Sequence, residues 1–312
     1  MLEEIVIETI KKNNLIKNGD SIVVGVSGGP DSITLLDILI KAQKEIDFKI
    51  NVAHINHMIR EEAIEDEKYV QNYCKTKNIP CYIKRVQVEA FAKEQKMGTE
   101  EAGRCVRYEF FEEVLQKTNS NKVATAHTKN DNVETVLMNI IRGSGTIGLK
   151  GIDIVRDDKY IRPLINSQRE EIEKYCEENN LTPRIDKTNM ENIYTRNKVR
   201  NLLIPYIKKE FNPNIIDTID RLSQIAKEEN EYFEQKTKEV YKQILIQETK
   251  KEIQLDLKQF NNLELVIKNR IVLYTINRLL GTNSGIGKIH IKDIIKLCNN
   301  NIGKIIIANK HR

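Results

Sequence analysis

Short apolar runs recur along the first half of the chain, at 22–26 (IVVGV), 50–55 (INVAHI), 81–86 (CYIKRV) and 122–126 (KVATA). Each is too short for a helix, and the runs are bounded by polar residues, which predicts strands. Between them, apolar residues return every three or four positions. Ile33, Leu36, Leu39 and Ile40 form one such stripe within 33–46, and Val133, Val136, Leu137 and Ile140 form another within 130–141. Strands alternating with helices predict an α/β fold, a parallel Rossmann-like sheet wrapped by helices. Both striped helices begin directly after a strand. In such sheets ligands sit where strands end and helices begin, so these two turns are the expected seat of any chemistry.

After Pro163 the pattern changes to helices without clear strands, at 167–179, at 194–209 and in a charged run from about 214 to 247. The dipeptide Asn212-Pro213 marks a boundary. It divides the chain into a catalytic domain, 1–211, and a helical linker with a smaller, mainly helical C-terminal domain, 212–312. In the latter, NNLELVIKNRIVLYTINRLLG reads as a helix stopped by Gly281.

At 312 residues the chain can bury two cores without cross-links. Its five cysteines form no C-x-x-C pair, which argues against a disulfide framework or a cluster site and for a reducing, cytoplasmic setting. No stretch approaches the length of a membrane span and the N-terminus lacks an apolar leader, so a membrane partner is not expected. Charge is unevenly spread. From Lys268 to Arg312 there are nine basic side chains against one acid, Asp293, leaving 41 basic and 44 acidic for the rest. A local excess of that size points either to a solvated face or to a polyanionic partner, with nucleic acid the obvious candidate.

The first strand-to-helix turn reads SGGPDS. Gly28 and Gly29 allow close approach to backbone amides, Ser27 and Ser32 add hydroxyls, Pro30 suits a first helical turn, and the helix offers its N-terminus to an anion. Asp31 would repel a phosphate unless a divalent cation lay between them, so the loop implies a nucleotide with Mg²⁺. A plain turn with Asp31 or Ser32 as cap is the alternative. The lysine-bearing phosphate loop is absent. GSGTIG at 143–148 matches a dinucleotide fingerprint by letter, but it follows a helix where that motif requires a strand, and it is rejected as such a site.

SGGPDS after a buried strand resembles the loop of the N-type ATP pyrophosphatases (PP-loop superfamily), which split ATP between its α and β phosphates. HINHMIR (54–60), EEAGRCVRYEFF (100–111), AHTKNDNVETVLMNIIRGSG (126–145), IRPL (161–164), DKTN (186–189) and YTRNKVRNLLIP (194–205) are similar, in order, to motifs of the tRNA(Ile)-lysidine synthetase family. The resemblance spans roughly 20 to 210. It implies a ligase that adenylates C2 of the wobble cytidine in a CAU-anticodon isoleucine tRNA and then attaches free L-lysine, changing codon reading from AUG to AUA. It also accounts for the missing lysine, since pyrophosphate would leave, held by Ser27, Gly28, Gly29, Pro30 and Ser32, with Asp31 on Mg²⁺. A tRNA thiolase is the rival, disfavoured by the scattered cysteines.

In-line transfer at the α phosphorus needs cations or donors at the nonbridging oxygens, and Arg107 and His127 match the family motifs that would supply them. Asp131 and Glu134, one turn apart near a helix start, share a face. Ordinary first-turn acids would sit there too. The resemblance assigns them to lysine binding, and one of them is a candidate to accept the amine's proton. His54 and His57 lack a third ligand for zinc and are expected to shape the adenosine or base pocket. Arg196 and Arg200, i and i+4, are candidates for tRNA phosphates. A homodimer is left open.

Overall fold

The computed structural model describes residues 1–58, 63–184, 194–282 and 285–298. The chain divides into two compact units, Met1–Ser223 and Gln224–Arg312. The division falls within a long helix, whereas the Asn212-Pro213 signal stands just before that helix.

The first unit is built on a six-stranded sheet, β1 (Ser21–Gly25), β2 (Lys49–Asn56), β3 (Cys81–Arg85), β4 (Lys122–Ala124), β5 (Val155–Arg156) and β6 (Tyr160–Ile161), in spatial order β3-β2-β1-β4-β6-β5. All neighbours are parallel except β5, which pairs antiparallel with β6. The four predicted strands are present. The short β5 and β6 were not visible as apolar runs, because two-residue strands carry no alternation to read. Around the sheet run α1 (Leu2–Lys12), α2 (Pro30–Ala42), α3 (Ala63–Thr76), α4 (Val88–Glu94), α5 (Thr99–Thr118), α6 (Lys129–Ile141), α7 (Thr146–Leu149) and α8 (Arg169–Glu178). There follow α9 (Thr195–Lys198), a π-helical turn (Val199–Leu203), α10 (Ile204–Glu210) and α11 (Ile215–Ile244).

Successive residues of β1 point to opposite faces, as the pleat requires. Ile22 and Val24 enter a core shared with α1, α2, α3 and α8, while Val23 enters a second core with Phe110, Phe111 and Val114 of α5. A sheet covered on both faces explains why its strands read as continuous apolar runs. Gly25 permits the closest of these contacts, since a Cβ there would lie 2.5 Å from the Phe111 ring. The predicted stripe on α2 understates its burial. Every residue from Ser32 to Leu39 is buried, because α2 packs between the sheet, α1 and α8. The stripe on α6 holds for Val133, Val136 and Leu137, which pack with Val199, Ile204, Ile216 and Ile219, but Ile140 is 46% exposed.

β1 and β4 are adjacent, and the chain leaves them toward opposite sides of the sheet. Their C-terminal ends therefore form a topological switch point, the place where an open α/β sheet has a crevice.

The second unit has its own core, in which Val240, Tyr241 and Ile244 of α11 meet Phe260 of α12 (Leu257–Asn261), Ile267, Ile271 and Val272 of α13 (Leu265–Leu280) and Ile291 and Ile295 of α14 (Lys288–Cys298). Gly281 ends α13 in the left-handed region, φ 73°. The unit is mainly helical, as expected, and adds a two-stranded antiparallel sheet, β7 (Leu245–Glu248) with β8 (Ile253–Leu255). Its mixed polar sequence carries no apolar run. No described helix is long and apolar enough to cross a membrane.

Candidate active site

The SGGPDS turn leaves β1 and enters α2 with Gly29 as N-cap and Pro30 in the first turn. Gly28 has φ +97°, a conformation in which any side chain would cost roughly 1–2 kcal/mol. The amides of Ser27 and Gly28 both donate to the Ser32 hydroxyl, at 3.1 and 3.2 Å, and that hydroxyl donates to the Gly29 carbonyl. Backbone donors thus converge on one side of the turn at a helix N-terminus, the arrangement that holds phosphate oxygens. Two contacts hold the turn in place. His54 of β2 donates from Nδ1 to the Val26 carbonyl at 2.8 Å, and the Arg184 amide donates to the Gly28 carbonyl at 2.9 Å. Arg184 also pairs with Asp66 of α3, tying the turn to that helix.

Asp31 is half-buried on the first turn of α2, and its Oδ1 is buried with no hydrogen-bond partner. Burial pushes its carboxyl up to about 6, Asp131 and Glu134 push the same way, and Arg169 and Arg200 oppose them. The three carboxylates of α2 and α6 therefore share one crevice.

Facing the turn, His127 follows β4, and α6 begins two residues later. Thr128 caps α6 through a reciprocal pair, in which Asp131 Oδ2 accepts from the Thr128 amide at 2.9 Å and Thr128 Oγ1 accepts from the Asp131 amide at 3.3 Å. The other oxygen of Asp131 pairs with Arg200 at 3.1 Å. Glu134, 1% exposed, binds Arg200 through both oxygens, at 2.6 and 2.8 Å, and accepts from Arg196 Nε at 3.0 Å. A two-point guanidinium–carboxylate pair is among the stronger polar contacts in proteins. Burial disfavours the charged Asp131 carboxylate, but Arg196, His127, the Thr128 amide and Arg200 outweigh it and lower its pKa. Arg196 and Arg200, expected on a tRNA-facing surface, thus lie in the crevice against the two acids expected to bind lysine.

His127 accepts or donates at Nδ1 to the Thr125 hydroxyl at 2.9 Å. Burial lowers its pKa to about 4; Asp131 works against this, and Arg162, Arg196 and Arg107 reinforce it. The ring is neutral near pH 7. Arg107 of α5 keeps exposed surface although protein surrounds it on most sides, as befits the wall of a cleft, and desolvation lowers its pKa, with Arg104 and Arg196 adding to the effect. His57, packed on Gly103 of α5, is lowered to about 4 by burial and by Arg107.

Among the described residues, five guanidiniums, Arg107, Arg162, Arg169, Arg196 and Arg200, act on this crevice against three carboxylates. The balance favours a polyphosphate. Nothing in the spacing of Arg162 or Arg169 along the sequence marks either for this site. The whole of IRPL is buried, and Arg162 is its charged member, donating from Nη1 to the Asp153 carbonyl. DKTN lies outside the described residues. GSGTIG runs from an exposed turn after α6 into the short helix α7, so no strand precedes it.

A crevice at the switch point of a parallel sheet, with a glycine-rich amide cradle, an unpartnered aspartate and surrounding arginines, defines a nucleotide-phosphate-binding α/β protein. The PP-loop domain family matches residues 2–207, and the chain belongs to that family. It is 47% identical over 302 residues to a tRNA(Ile)-lysidine synthase of Clostridium acetobutylicum, covering 96% of this chain and 65% of that protein. It is 43% identical over 301 residues to a tRNA(Ile)-lysidine synthase of Clostridioides difficile, with the same shares covered. The chain thus spans a little under two thirds of the length of these relatives. Among solved structures, the U34-tRNA thiolase NcsA of Methanococcus maripaludis is similar in fold, with a TM-score of 0.60, 19% identity, and 72% of this chain and 78% of that one covered.

Proposed function

We propose that this protein ligates free L-lysine to C2 of the wobble cytidine of an isoleucine tRNA with a CAU anticodon, using ATP and releasing AMP and pyrophosphate. The observation that carries the reading is the pairing, in one crevice, of the SGGPDS amide cradle with the Asp131–Glu134 face of α6. The first suits a polyphosphate and the second an amino acid bearing amines. The names of the similar proteins support the same choice.

In this reading the amides and hydroxyls of Ser27, Gly28, Gly29 and Ser32 hold the β and γ phosphates, with Pro30 fixing the helix entry. Asp31 fits a divalent cation, because its buried Oδ1 has no partner and a carboxylate that gains one is relieved of its desolvation cost. Mg²⁺ bound there would offset phosphate charge. The cytidine C2 oxygen attacks the α phosphorus, the bond to the bridging oxygen breaks, and pyrophosphate leaves. Arg107 offers charged N–H donors and neutral His127 an uncharged one to the nonbridging oxygens as negative charge grows. The lysine ε-amine then attacks C2 and the C2–O bond breaks, releasing AMP.

Asp131 and Glu134 bind the amino acid, and because both already hold arginines, an incoming ammonium shares or displaces a guanidinium. One of these carboxylates takes the proton the amine loses. Residues 1–211 supply the catalytic domain and 212–312 the basic tRNA contacts, in the cytoplasm where charged tRNA is made.

Incubating the chain with ATP, Mg²⁺, radiolabelled lysine and the CAU isoleucine tRNA tests this. Label in the tRNA supports it, whereas a thiolated base formed with a sulfur donor, and no lysine, assigns the chain to the thiolases.

A further inference from the structure

Ile140, which periodicity assigned to the buried stripe of α6, is 46% exposed, and Ile141 beside it is 61% exposed. Ile141 lines a groove of about 400 Å³ whose walls also include Lys198, Val199, Leu202 and Tyr206. Leu202 is 55%, Tyr206 58% and Phe211 73% exposed, and the Tyr206 and Phe211 rings meet edge to face at 5.8 Å. Large apolar side chains exposed side by side on a charged protein are candidates for an interaction site.

Two features choose the occupant. Among the described residues no acidic side chain lines the groove, Lys198 is part of its wall, and exposed Arg142 follows Ile141 directly. Aromatic faces with cations and no carboxylates suit unstacked bases and their phosphates. The second feature is position. The groove and the crevice share the same two helical segments. Ile141 lies seven residues beyond Glu134 on α6, about 10 Å at ~1.5 Å per residue, or about three nucleotides at ~3.4 Å each. Tyr206 lies six residues beyond Arg200, across the π-helical turn. A base drawn into the crevice leaves its neighbours without stacking partners, and a platform at that distance replaces them.

We propose that the groove between α6 and α10 is a stacking platform for the anticodon-loop nucleotides next to the reacting cytidine, with Tyr206 as its aromatic anchor and Lys198 on the phosphate. This rests on the function proposed above.

The test uses the full chain and an RNA hairpin carrying the CAU loop, with 2-aminopurine beside the wobble cytidine. Wild-type protein quenches the fluorophore by stacking. Tyr206→Ala loses most of the quench and weakens hairpin binding about tenfold at unchanged Tm, while Tyr206→Phe retains both. Unchanged quench and affinity in Tyr206→Ala, while wild-type protein still attaches lysine to tRNA, overturns the platform and leaves the function standing. Failure of wild-type protein to bind the hairpin or attach lysine overturns both. If Leu202→Asp dissociates a dimer in sedimentation without altering hairpin affinity, the face belongs to a second copy and the platform is wrong.

Discussion

Two aspartates on α2, six residues apart, meet opposite fates. Asp37, 4% exposed, accepts from the hydroxyls of Tyr73 and Tyr175 at 2.9 and 2.7 Å and pairs with Lys41 at 3.2 Å. Burial works against its charge, yet the two tyrosines and Lys41 win and hold its pKa low. Asp31, at the crevice end of the same helix, has an oxygen with no partner and a carboxyl raised to about 6. A buried carboxylate that serves the fold is satisfied by the fold. One left unsatisfied beside other carboxylates is poised for something that arrives, which is how a site is told from a core.

Exchanging these two roles gives the largest expected effects. Asp31→Asn removes the cation ligand and should lower lysine incorporation by about 10²–10³-fold, with Tm unchanged or raised, since an unpaired buried charge is lost. Asp37→Asn should do the reverse, lowering stability by about 2–4 kcal/mol in denaturant melts while folded protein keeps its activity. Equal activity losses in both would erase the distinction. Next in size is Glu134→Gln, expected to raise KM for lysine about 10- to 100-fold with a smaller change in KM for ATP; an effect on ATP alone would move Glu134 out of the amino-acid pocket.

The contrast also has a pH signature. A proton and a divalent cation compete for Asp31, so Mg²⁺ affinity should be level above about pH 6 and weaken by about tenfold per pH unit below it. Calorimetric titration between pH 5 and 7.5 reads this, and Asp31→Asn should abolish the dependence. In the fold alone the sign is the same as for any raised acid. Asp31 favours the folded state below the unfolded carboxyl range, and that contribution is lost as pH rises through about 6.

The helices and long strands were legible because burial leaves a period in the sequence, and the SGGPDS turn because its chemistry is local. What periodicity missed has a physical pattern. The strands β5 to β8 are too short or too polar to alternate visibly, and Ile140 obeys the helical period while remaining exposed. Within the site, Asp31 and the Asp131–Glu134 pair could be chosen from spacing and resemblance. The partnership of Arg196 and Arg200 with those acids could not, because some 60 residues separate them and only the packing of α9 and the π-helical turn on α6 brings them together.

The smallest effect concerns the other unit. Lys288, Lys292 and Lys296 are exposed along one side of α14, next to the buried Ile291 and Ile295. Reversing all three charges should reduce the salt slope of tRNA binding by up to about 3, without touching the pH dependence set by Asp31. An unchanged slope would confine these lysines to solubility.

The nucleotide products show most directly which bond of ATP the SGGPDS turn serves. With ATP, Mg²⁺, lysine and the CAU isoleucine tRNA, AMP and pyrophosphate should form together, in step with lysine entering the tRNA. ADP and orthophosphate in their place would contradict it.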